Sequence, residues 1–212
     1  MSFLTIATTG KYEEIIKKSR FICHLAPVES ESAAKEFIDQ VISDNPKANH
    51  NCYAYLVGDT DQIQRASDNG EPSGTAGVPI LEVLKKNQLH NVVAVVTRYF
   101  GGIKLGAGGL IRAYSGTTAS AIETIGIVEL VDFQMLGITI EYSQLDSLIY
   151  FLNTQSIVIK NTDYESQVTV TIAVSISEQE NIINELMDLL SGKLSIAKGT
   201  IQPVALPYKK GN

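Results

Sequence analysis

The stretch TRYFGGIKLGAGGLIRAYSG, from Thr97 to Gly116, decides how the first half of this chain folds. It contains six glycines, four of them in two adjacent pairs, together with three basic residues and no carboxylate. The apolar run that leads into it, Asn91–Phe100, is typical of a strand covered on both faces. A helix is predicted to follow over Leu110–Ile125, with Gly126 after its last turn. The stretch is therefore a glycine-rich connection between a buried strand and a helix.

A connection of this kind is suited to binding an anion, in particular one that carries phosphate. Converging backbone N–H groups bind anions, and glycine permits the dihedral angles and the close approach that this requires. The N-terminus of the following helix adds free N–H groups and a partial positive charge. Lys104 and Arg112 can neutralise the remaining charge of the ligand. The alternative is a tight strand-to-helix connection that serves no ligand.

Two standard nucleotide-binding motifs do not fit these residues. A P-loop needs a Lys-Ser or Lys-Thr pair after its second glycine, but Ala107 and Gly108 occupy those places. A dinucleotide fingerprint needs a glycine where Ile111 stands. We therefore expect no cofactor. The predicted site for an anion or nucleic acid consists of Arg98, Tyr99, Gly101, Gly102, Lys104, Gly106, Gly108, Gly109 and Arg112.

A second glycine-rich stretch, DNGEPSGTAGVPIL over Asp68–Leu81, leads into another predicted helix. Its two carboxylates are candidates for acid–base chemistry or Mg²⁺ binding, and its hydroxyls and N–H groups are candidates for an oxyanion or phosphate nest. The residues of this secondary site are Asp68, Glu71, Ser73, Gly74 and Thr75. The alternative is a capped loop in which the carboxylates bond local N–H groups. We favour that alternative and assign no metal site, because no third ligand and no obvious base accompany the pair.

Composition narrows the class of protein. Of the 212 residues, 44% are hydrophobic and 19% are charged, which favours one or two folded domains over disorder. The net charge of −6 excludes a basic field over the whole protein, so an anion site must be local. No carboxylate lies between Glu82 and Glu123. The basic residues of that segment are Lys85, Lys86, Arg98, Lys104 and Arg112.

The other reactive residues form no catalytic pattern. Cys23 and Cys52 are far apart and lack metal-like spacing, so a disulfide framework and a zinc site are poor interpretations. His24, His50 and His90 lie in separate segments, and structural roles are expected for them. The sequence shows no secretory signal and no run of the ~18 apolar residues that a membrane helix needs. A cytoplasmic protein without membrane association is expected.

The first 130 residues predict a domain of mixed helices and strands. Helices are predicted from capping residues and from apolar positions at helical spacing over Ser30–Asn45, Thr75–Lys86 and Leu110–Ile125. Extended segments are predicted over Tyr12–Val28, Asn51–Gly58, Gln62–Ser67 and Asn91–Phe100.

A different order of elements follows Val128. The predicted strands and helices are Glu129–Glu141, Ser143–Thr154, Ser156–Asn161, Tyr164–Ser175, Glu178–Ser191 and Lys193–Gln202. This βαββαβ order is that of the ferredoxin-like unit. The fold class is therefore α+β, with one domain over residues 1–130 and an acidic second domain over residues 131–212.

Three stretches resemble the IMPACT/YigZ family, and the likeness extends over essentially the whole chain. They are SDNGEPSGTAGVPIL (67–81), VTRYFGGIKLGAGGLIRAYS (96–115) and KKSRFICHLAPV (17–28). The resemblance implies an N-terminal two-layer α/β domain with a fold also seen in a small-subunit ribosomal protein and in domain IV of elongation factor G. It implies a C-terminal ferredoxin-like domain similar to domain V of that factor. Eukaryotic members regulate translation by binding an activator of a stress-responsive kinase, and no catalytic residues carry over from the family.

These observations favour a non-enzymatic, translation-linked regulator. Its first domain would bind RNA, the ribosome or a translation-associated protein through the basic glycine-rich loop. One alternative is a metal-dependent enzyme that acts on a phosphate-containing small molecule through Asp68 and Glu71. The other is a pure protein-interaction module. The oligomeric state is left open.

Overall fold

A computed structural model describes residues 2–58 and 60–208 of the chain. These residues form two compact units, each with its own hydrophobic core. The first unit consists of Phe3–Glu129 and the described residues from Ala205 onward; the second consists of Leu130–Val204 together with Ser2. In the part of the chain that the structure describes, no helix is long and apolar enough to span a membrane.

The first unit is built on a five-stranded antiparallel sheet. A short strand β1 (Ser2–Ile6) precedes it, and the amide of Ala7 donates to the carbonyl of Gly126 over 3.1 Å. The sheet strands are β2 (Gly10–Ile16), β3 (Ser19–Pro27), β4 (His50–Val57), β5 (Ile63–Ser67) and β6 (Val92–Tyr99). Their spatial order is β2-β3-β6-β4-β5, which places the apolar β6 at the centre.

Helices cover both faces of this sheet. They are α1 (Glu31–Asp44), α2 (Gly77–Lys86) and α3 (Ala107–Ile125). Val92, Ala94 and Val96 of β6 share a core with residues of α2 and α3, whereas Val93 and Val95 share a separate core with α1. The two-layer prediction is therefore wrong, since the domain has three layers. A central strand that is apolar on both faces must be covered on both, and the amphipathic α1 covers the second face.

The predicted extended segment Tyr12–Val28 is two strands joined by a tight turn. Lys17 and Lys18 adopt positive φ angles of 44° and 64°, and Ile16 pairs with Ser19 across the turn. Two consecutive positive φ angles define the type I′ hairpin turn, which usually contains glycine, asparagine or aspartate. A Lys-Lys pair carries no such signal, so the sequence did not indicate this turn.

The second unit has the element order βαββαβ that the sequence predicts. Its elements are β7 (Ile127–Ile140), α4 (Leu145–Thr154), β8 (Val158–Tyr164), β9 (Val168–Ser175), α5 (Gln179–Leu189) and β10 (Ser195–Pro207). Within the sheet β9 lies between β7 and β8, and β10 pairs with β7. Alternate residues of β7 and β9 form one core with α4 and α5.

Several boundaries differ from those predicted. Helix α3 begins at Ala107 instead of Leu110, and α2 begins at Gly77 instead of Thr75. The domain bounds 1–130 and 131–212 stay a prediction; the compact units meet at Glu129 and Leu130, and the described residues from Ala205 onward group with the first unit. Strand β10 has 13 residues and continues past Val204, where the second unit ends.

Candidate anion-binding pocket

The glycine-rich loop after β6 is held in place by the turn between β2 and β3. A Cβ atom on Gly101 would lie 1.9 Å from the carbonyl oxygen of Lys18, so only glycine fits there. The amide of Gly101 also donates to the hydroxyl of Ser19 over 3.2 Å. Gly102 and Gly106 have φ angles of +86° and +69° and are exposed. The first glycine therefore fixes the loop against the sheet, and the other two provide its bends.

Helix α3 begins directly after this loop without a side-chain cap. Its N-cap residue is Gly106, and the first intrahelical bond runs from the amide of Leu110 to the Gly106 carbonyl over 2.9 Å. The first amides of a helix have no intrahelical partner and carry a partial positive charge. Gly108 is exposed, and a Cβ atom there would lie 3.7 Å from Nη1 of Arg112. The guanidinium of Arg112 therefore lies over the first turn of the helix.

A cavity of about 370 Å³ opens beside this helix terminus. Its volume is within the range of small-molecule sites in proteins. The residues that line it are Glu71, Pro72, Arg98, Phe100, Lys104, Leu105, Gly106, Ala107 and Leu110. The pocket thus combines part of the predicted anion site with Glu71 from the second glycine-rich stretch. Gly109 lies behind it, where a Cβ would be 3.0 Å from Cβ of Leu105.

The structure places Arg98 in the wall of this pocket and not among the exposed cations. The residue is only 5% exposed, and its Nη1 donates to Oε1 of Glu71 over 2.6 Å. Its Nη2 donates to the hydroxyl of Ser19 over 3.4 Å, and its Nε is buried without a partner. The guanidinium lies 5.3 Å from the ring centre of Phe21 and 5.5 Å from that of Phe100. Arg98 therefore neutralises Glu71, so the carboxylate does not repel an anion from the pocket.

Tyr114 of α3 completes this buried network. Its hydroxyl donates to Oε1 of Glu71 over 2.8 Å, and its ring meets Phe21 edge to face with 5.4 Å between centroids. Burial raises the pKa of Tyr114, and the neighbouring Cys52 and Glu71 raise it further. The tyrosine therefore remains a hydrogen-bond donor at neutral pH. It is fully buried and offers no platform for a base.

In the second glycine-rich stretch, Asp68 occupies the place that a bound anion would take. Its carboxylate accepts from the amides of Gly74 at 2.8 Å, Ala76 at 2.9 Å and Gly77 at 2.9 Å. Burial alone would raise the pKa of Asp68, but the bonds from these three amides outweigh it, and the pKa lies below its ordinary value. The N-terminus of α2 is thus capped from within. In the interpretation favoured from the sequence, both carboxylates bond local N–H groups. Asp68 does so, but Glu71 does not, because it pairs with Arg98.

The other residues of this stretch do not complete a catalytic or metal site. Thr75 donates its hydroxyl to the carbonyl of Pro72 over 2.6 Å, and Ser73 and Gly74 are exposed. The oxygens of Asp68 and Glu71 face different donors, so the two carboxylates do not act as a pair. Among the described residues, no group of three or more His, Cys, Asp and Glu side chains is arranged to hold a metal ion.

Cys52 and His50 likewise lack the geometry of a nucleophile with its base. The thiol of Cys52 donates to the carbonyl of Asp68 over 2.8 Å, and burial raises its pKa to about 12. A thiol with so high a pKa is not ionised at neutral pH and is a poor nucleophile. The Nδ1 of His50 lies 2.9 Å from the carbonyl oxygen of Asn69 and donates to it, because a carbonyl can only accept.

The two aromatic residues at the end of β6 have different environments. Tyr99 donates its hydroxyl to Asn45 over 2.9 Å, and the guanidinium of Arg20 lies 5.4 Å from the centre of its ring. Phe100 is 47% exposed and lines the pocket. Only Phe100 is therefore open to a ligand.

Three contributions to this pocket were not predicted from the sequence. Ser19 holds both Gly101 and Arg98, Phe21 backs the guanidinium, and Lys18 contacts the glycine loop through its carbonyl. All three lie in the first hairpin, far from the loop in the sequence. No local signal in the sequence indicated that these residues contact the loop.

Comparisons with known proteins show the family of this chain. Residues 17–122 match the family described as the Impact N-terminal domain, and residues 138–193 match a domain of unknown function, DUF1949. The IMPACT family member YvyE of Bacillus subtilis is 43% identical over 94% of this chain and 92% of its own length. YigZ of Escherichia coli is 36% identical over 92% of this chain and 97% of its own length. The chain therefore belongs to the IMPACT family.

Two further comparisons show how far the similarity extends. A solved structure titled "Crystal structure of an hypothetical protein" is 36% identical, with a TM-score of 0.59, and covers 92% of this chain and 96% of its own. The human Protein IMPACT is 34% identical over 42% of this chain and 29% of its own length. Bacterial relatives thus match the two-unit chain, whereas the human protein shares a shorter segment.

Proposed function

We propose that this protein is a non-enzymatic, translation-linked regulator whose first unit binds RNA, free or on the ribosome, through the glycine-rich loop and the N-terminus of α3. The observation that carries this proposal is the uncapped start of α3, with Arg112 over its first turn and Lys104 in the adjoining pocket wall. A helix terminus with free N–H groups and nearby cations is a favourable environment for phosphate.

Electrostatics within the pocket support the same function. Glu71 is the one carboxylate among the lining residues, and Arg98 pairs with it at 2.6 Å. Lys104 and the helix terminus therefore leave a positive balance at the pocket. Both Lys104 and Arg112 are exposed, so their charges remain hydrated until a ligand arrives. Exposed cations of this kind position a phosphate backbone without reading its sequence.

The link to translation rests on the family. Eukaryotic members of the resembling family regulate translation, and relatives named Protein IMPACT share the N-terminal segment with this chain. The likeness of the first unit to domain IV of elongation factor G is proposed on the same basis, without the two-layer arrangement. So is the likeness of the second unit to the ferredoxin-like domain V of that factor. The strand order in which β9 lies between β7 and β8 while β10 pairs with β7 supports it. We propose that the acidic second unit binds protein or regulates access to the pocket.

The test is a salt titration of binding to ribosomes and to a labelled single-stranded RNA. Lys104→Glu combined with Arg112→Glu should weaken binding, most strongly at low salt, and leave the fold intact. Each lost phosphate contact should reduce the slope of log K against log salt by about 0.7. The matched control is Lys160→Glu with Lys198→Glu, which makes the same charge change at exposed lysines of the second unit. Equal affinity and equal slope for the loop variant and the wild type would refute the proposal.

The enzyme alternative receives no support from the geometry of its two carboxylates. Asp68 is bound by three amides, and Glu71 is buried against Arg98 and Tyr114. Calorimetry with Mg²⁺ and Mn²⁺ should detect no binding by the wild-type protein. Binding that disappears in the Asp68→Ala variant would restore the metal-dependent enzyme as a candidate.

A further inference from the structure

We propose that the pocket receives one unstacked nucleotide, with its base against the ring of Phe100 and its phosphate at the N-terminus of α3. This inference rests on the proposed function and specifies its ligand as a base that carries a phosphate, either within single-stranded RNA or as a free mononucleotide. Phosphate contacts alone would account for an RNA-binding surface. A concave pocket beside an exposed aromatic ring is not needed for phosphate contacts. It favours a ligand that carries a flat apolar group as well as a phosphate.

The ring of Phe100 is a candidate surface for stacking, and Arg98 already lies over one of its faces. Arg98 lies over the ring at 5.5 Å from its centre and is itself 5.3 Å from the ring centre of Phe21. The amide of Phe100 donates to Oδ1 of Asn49 over 2.8 Å, which fixes the backbone at the end of β6. The ring nevertheless remains 47% exposed. An aromatic ring that is held by a buried arginine on one side and is open elsewhere is prepared to stack on a base.

The buried arginine at the pocket wall is not fully satisfied within the protein. Arg98 is 5% exposed and lines the pocket, and its Nε has no hydrogen-bond partner among the described residues. A buried donor without a partner is rare in folded proteins. The Nε itself is buried, so the guanidinium acts on the pocket through its contact with the ring of Phe100.

The shape and chemistry of the pocket match the two ends of a nucleotide. Its volume of about 370 Å³ suits a small ligand better than a duplex. Pro72, Leu105 and Leu110 give it an apolar wall beside Phe100, while Lys104 and the start of α3 provide the positive end. Single-stranded RNA presents bases that can be turned outward onto an aromatic side chain, whereas paired bases cannot reach one.

The absence of tryptophan from this chain allows a direct experiment. Phe100→Trp keeps an aromatic ring at the platform and introduces a single tryptophan, which can be excited apart from the nine tyrosines. Its emission should be quenched by a short oligoadenylate, because a stacked base quenches an indole ring. An abasic oligomer of equal length and charge should bind, as measured by anisotropy of its label, without quenching. Adenosine monophosphate should also quench, at higher concentration, if the pocket takes the nucleotide without its neighbours, whereas quenching by the oligomer alone assigns the ligand to RNA.

A matched variant shows whether quenching is specific to the pocket. Ile103→Trp places the fluorophore in the same loop at a residue that is 40% exposed but does not line the cavity. Its emission should change little with either oligomer. Phe100→Ala should weaken binding of the oligoadenylate about tenfold and leave the abasic oligomer unaffected. Circular dichroism of each variant should match that of the wild type.

The outcomes separate this inference from the proposed function. If Lys104→Glu with Arg112→Glu weakens RNA binding but Phe100→Ala does not, and Phe100→Trp is quenched no more than Ile103→Trp, the surface binds phosphate only and the nucleotide pocket is refuted. If neither RNA nor adenosine monophosphate binds the wild-type protein, both proposals are refuted. Base-dependent quenching at Phe100→Trp together with tenfold weaker binding by Phe100→Ala supports the pocket.

Discussion

The two glycine-rich loops of the first unit each lead into a helix, and they differ in what lies at the helix N-terminus. Before α2, the carboxylate of Asp68 accepts from Gly74, Ala76 and Gly77, so the helix start is neutralised within the protein. Before α3, the cap is Gly106, which has no side chain, and the guanidinium of Arg112 lies over the first turn. The loop before α2, which we call the closed loop, has its helix N-terminus neutralised by its own carboxylate. The loop before α3, which we call the open loop, has no side chain at its N-cap. Glycine content alone does not distinguish a structural loop from a binding loop.

The two loops meet at one buried ion pair. Glu71 belongs to the loop before α2. Arg98 lies near the end of β6, the strand that leads into the loop before α3.

The largest effect is expected when the junction is broken. Arg98→Ala leaves the Glu71 carboxylate buried without its partner and should lower the free energy of unfolding by about 4 kcal/mol. Replacing both residues, as Arg98→Met with Glu71→Leu, should cost much less because no uncompensated charge remains. Urea denaturation of the two variants measures the difference. A loss below about 1 kcal/mol for Arg98→Ala would show that the pair does not hold the loops together.

A smaller effect is expected when the closed loop is opened. Asp68→Ala removes the acceptor of three amides and should cost about 2 kcal/mol of stability. The vacated helix N-terminus should then bind sulfate, so sulfate should raise the melting temperature of this variant more than that of the wild type. Ser73→Ala, at an exposed residue of the same loop, is the control and should behave like the wild type. Equal responses to sulfate in all three proteins would contradict the role given to Asp68.

The pH dependence of stability provides an independent check on Asp68. Its pKa is lowered in the folded protein, so its contribution to stability is present above the unfolded-state value of about 3.9 and is lost as the pH falls through the folded-state pKa. The difference in unfolding free energy between the wild type and Asp68→Asn should therefore be constant above about pH 5 and should shrink in more acidic solution. Denaturation between pH 2 and pH 7 measures it. A difference that grows toward acidic pH would have the wrong sign.

The smallest effect on stability is expected at the open loop. Lys104→Glu with Arg112→Glu places carboxylates on both sides of the first turn of α3, one just before the N-cap Gly106 and one in the second turn. A negative charge there stabilises a helix by about 0.3–1 kcal/mol, so the melting temperature should stay constant or rise slightly. RNA affinity should fall in the same protein. A melting temperature that falls by several degrees would show that these cations serve the fold.

The sequence by itself determined the local elements, and it predicts an anion site at the open loop. The alternating and continuous apolar patterns predicted the buried β6 and the βαββαβ order of the second unit, because such patterns depend on nearby residues only. The glycine pairs, the basic residues and the absence of carboxylates indicated an anion surface at the start of α3. The failure of the P-loop and dinucleotide motifs could be read directly from residue identity.

Only the tertiary structure decided which charged side chains are exposed and which are paired within the protein. Arg98 and Lys104 are close in the sequence, yet Arg98 is buried because Glu71 and Ser19 reach it from other segments. The register that sets Arg98 opposite both Phe21 and His50 depends on pairing among β3, β6 and β4. Such pairings join residues tens of positions apart, and no local pattern encodes them. For the same reason the third layer formed by α1 and the burial of Glu71 against Arg98 and Tyr114 became known only once the chain was folded.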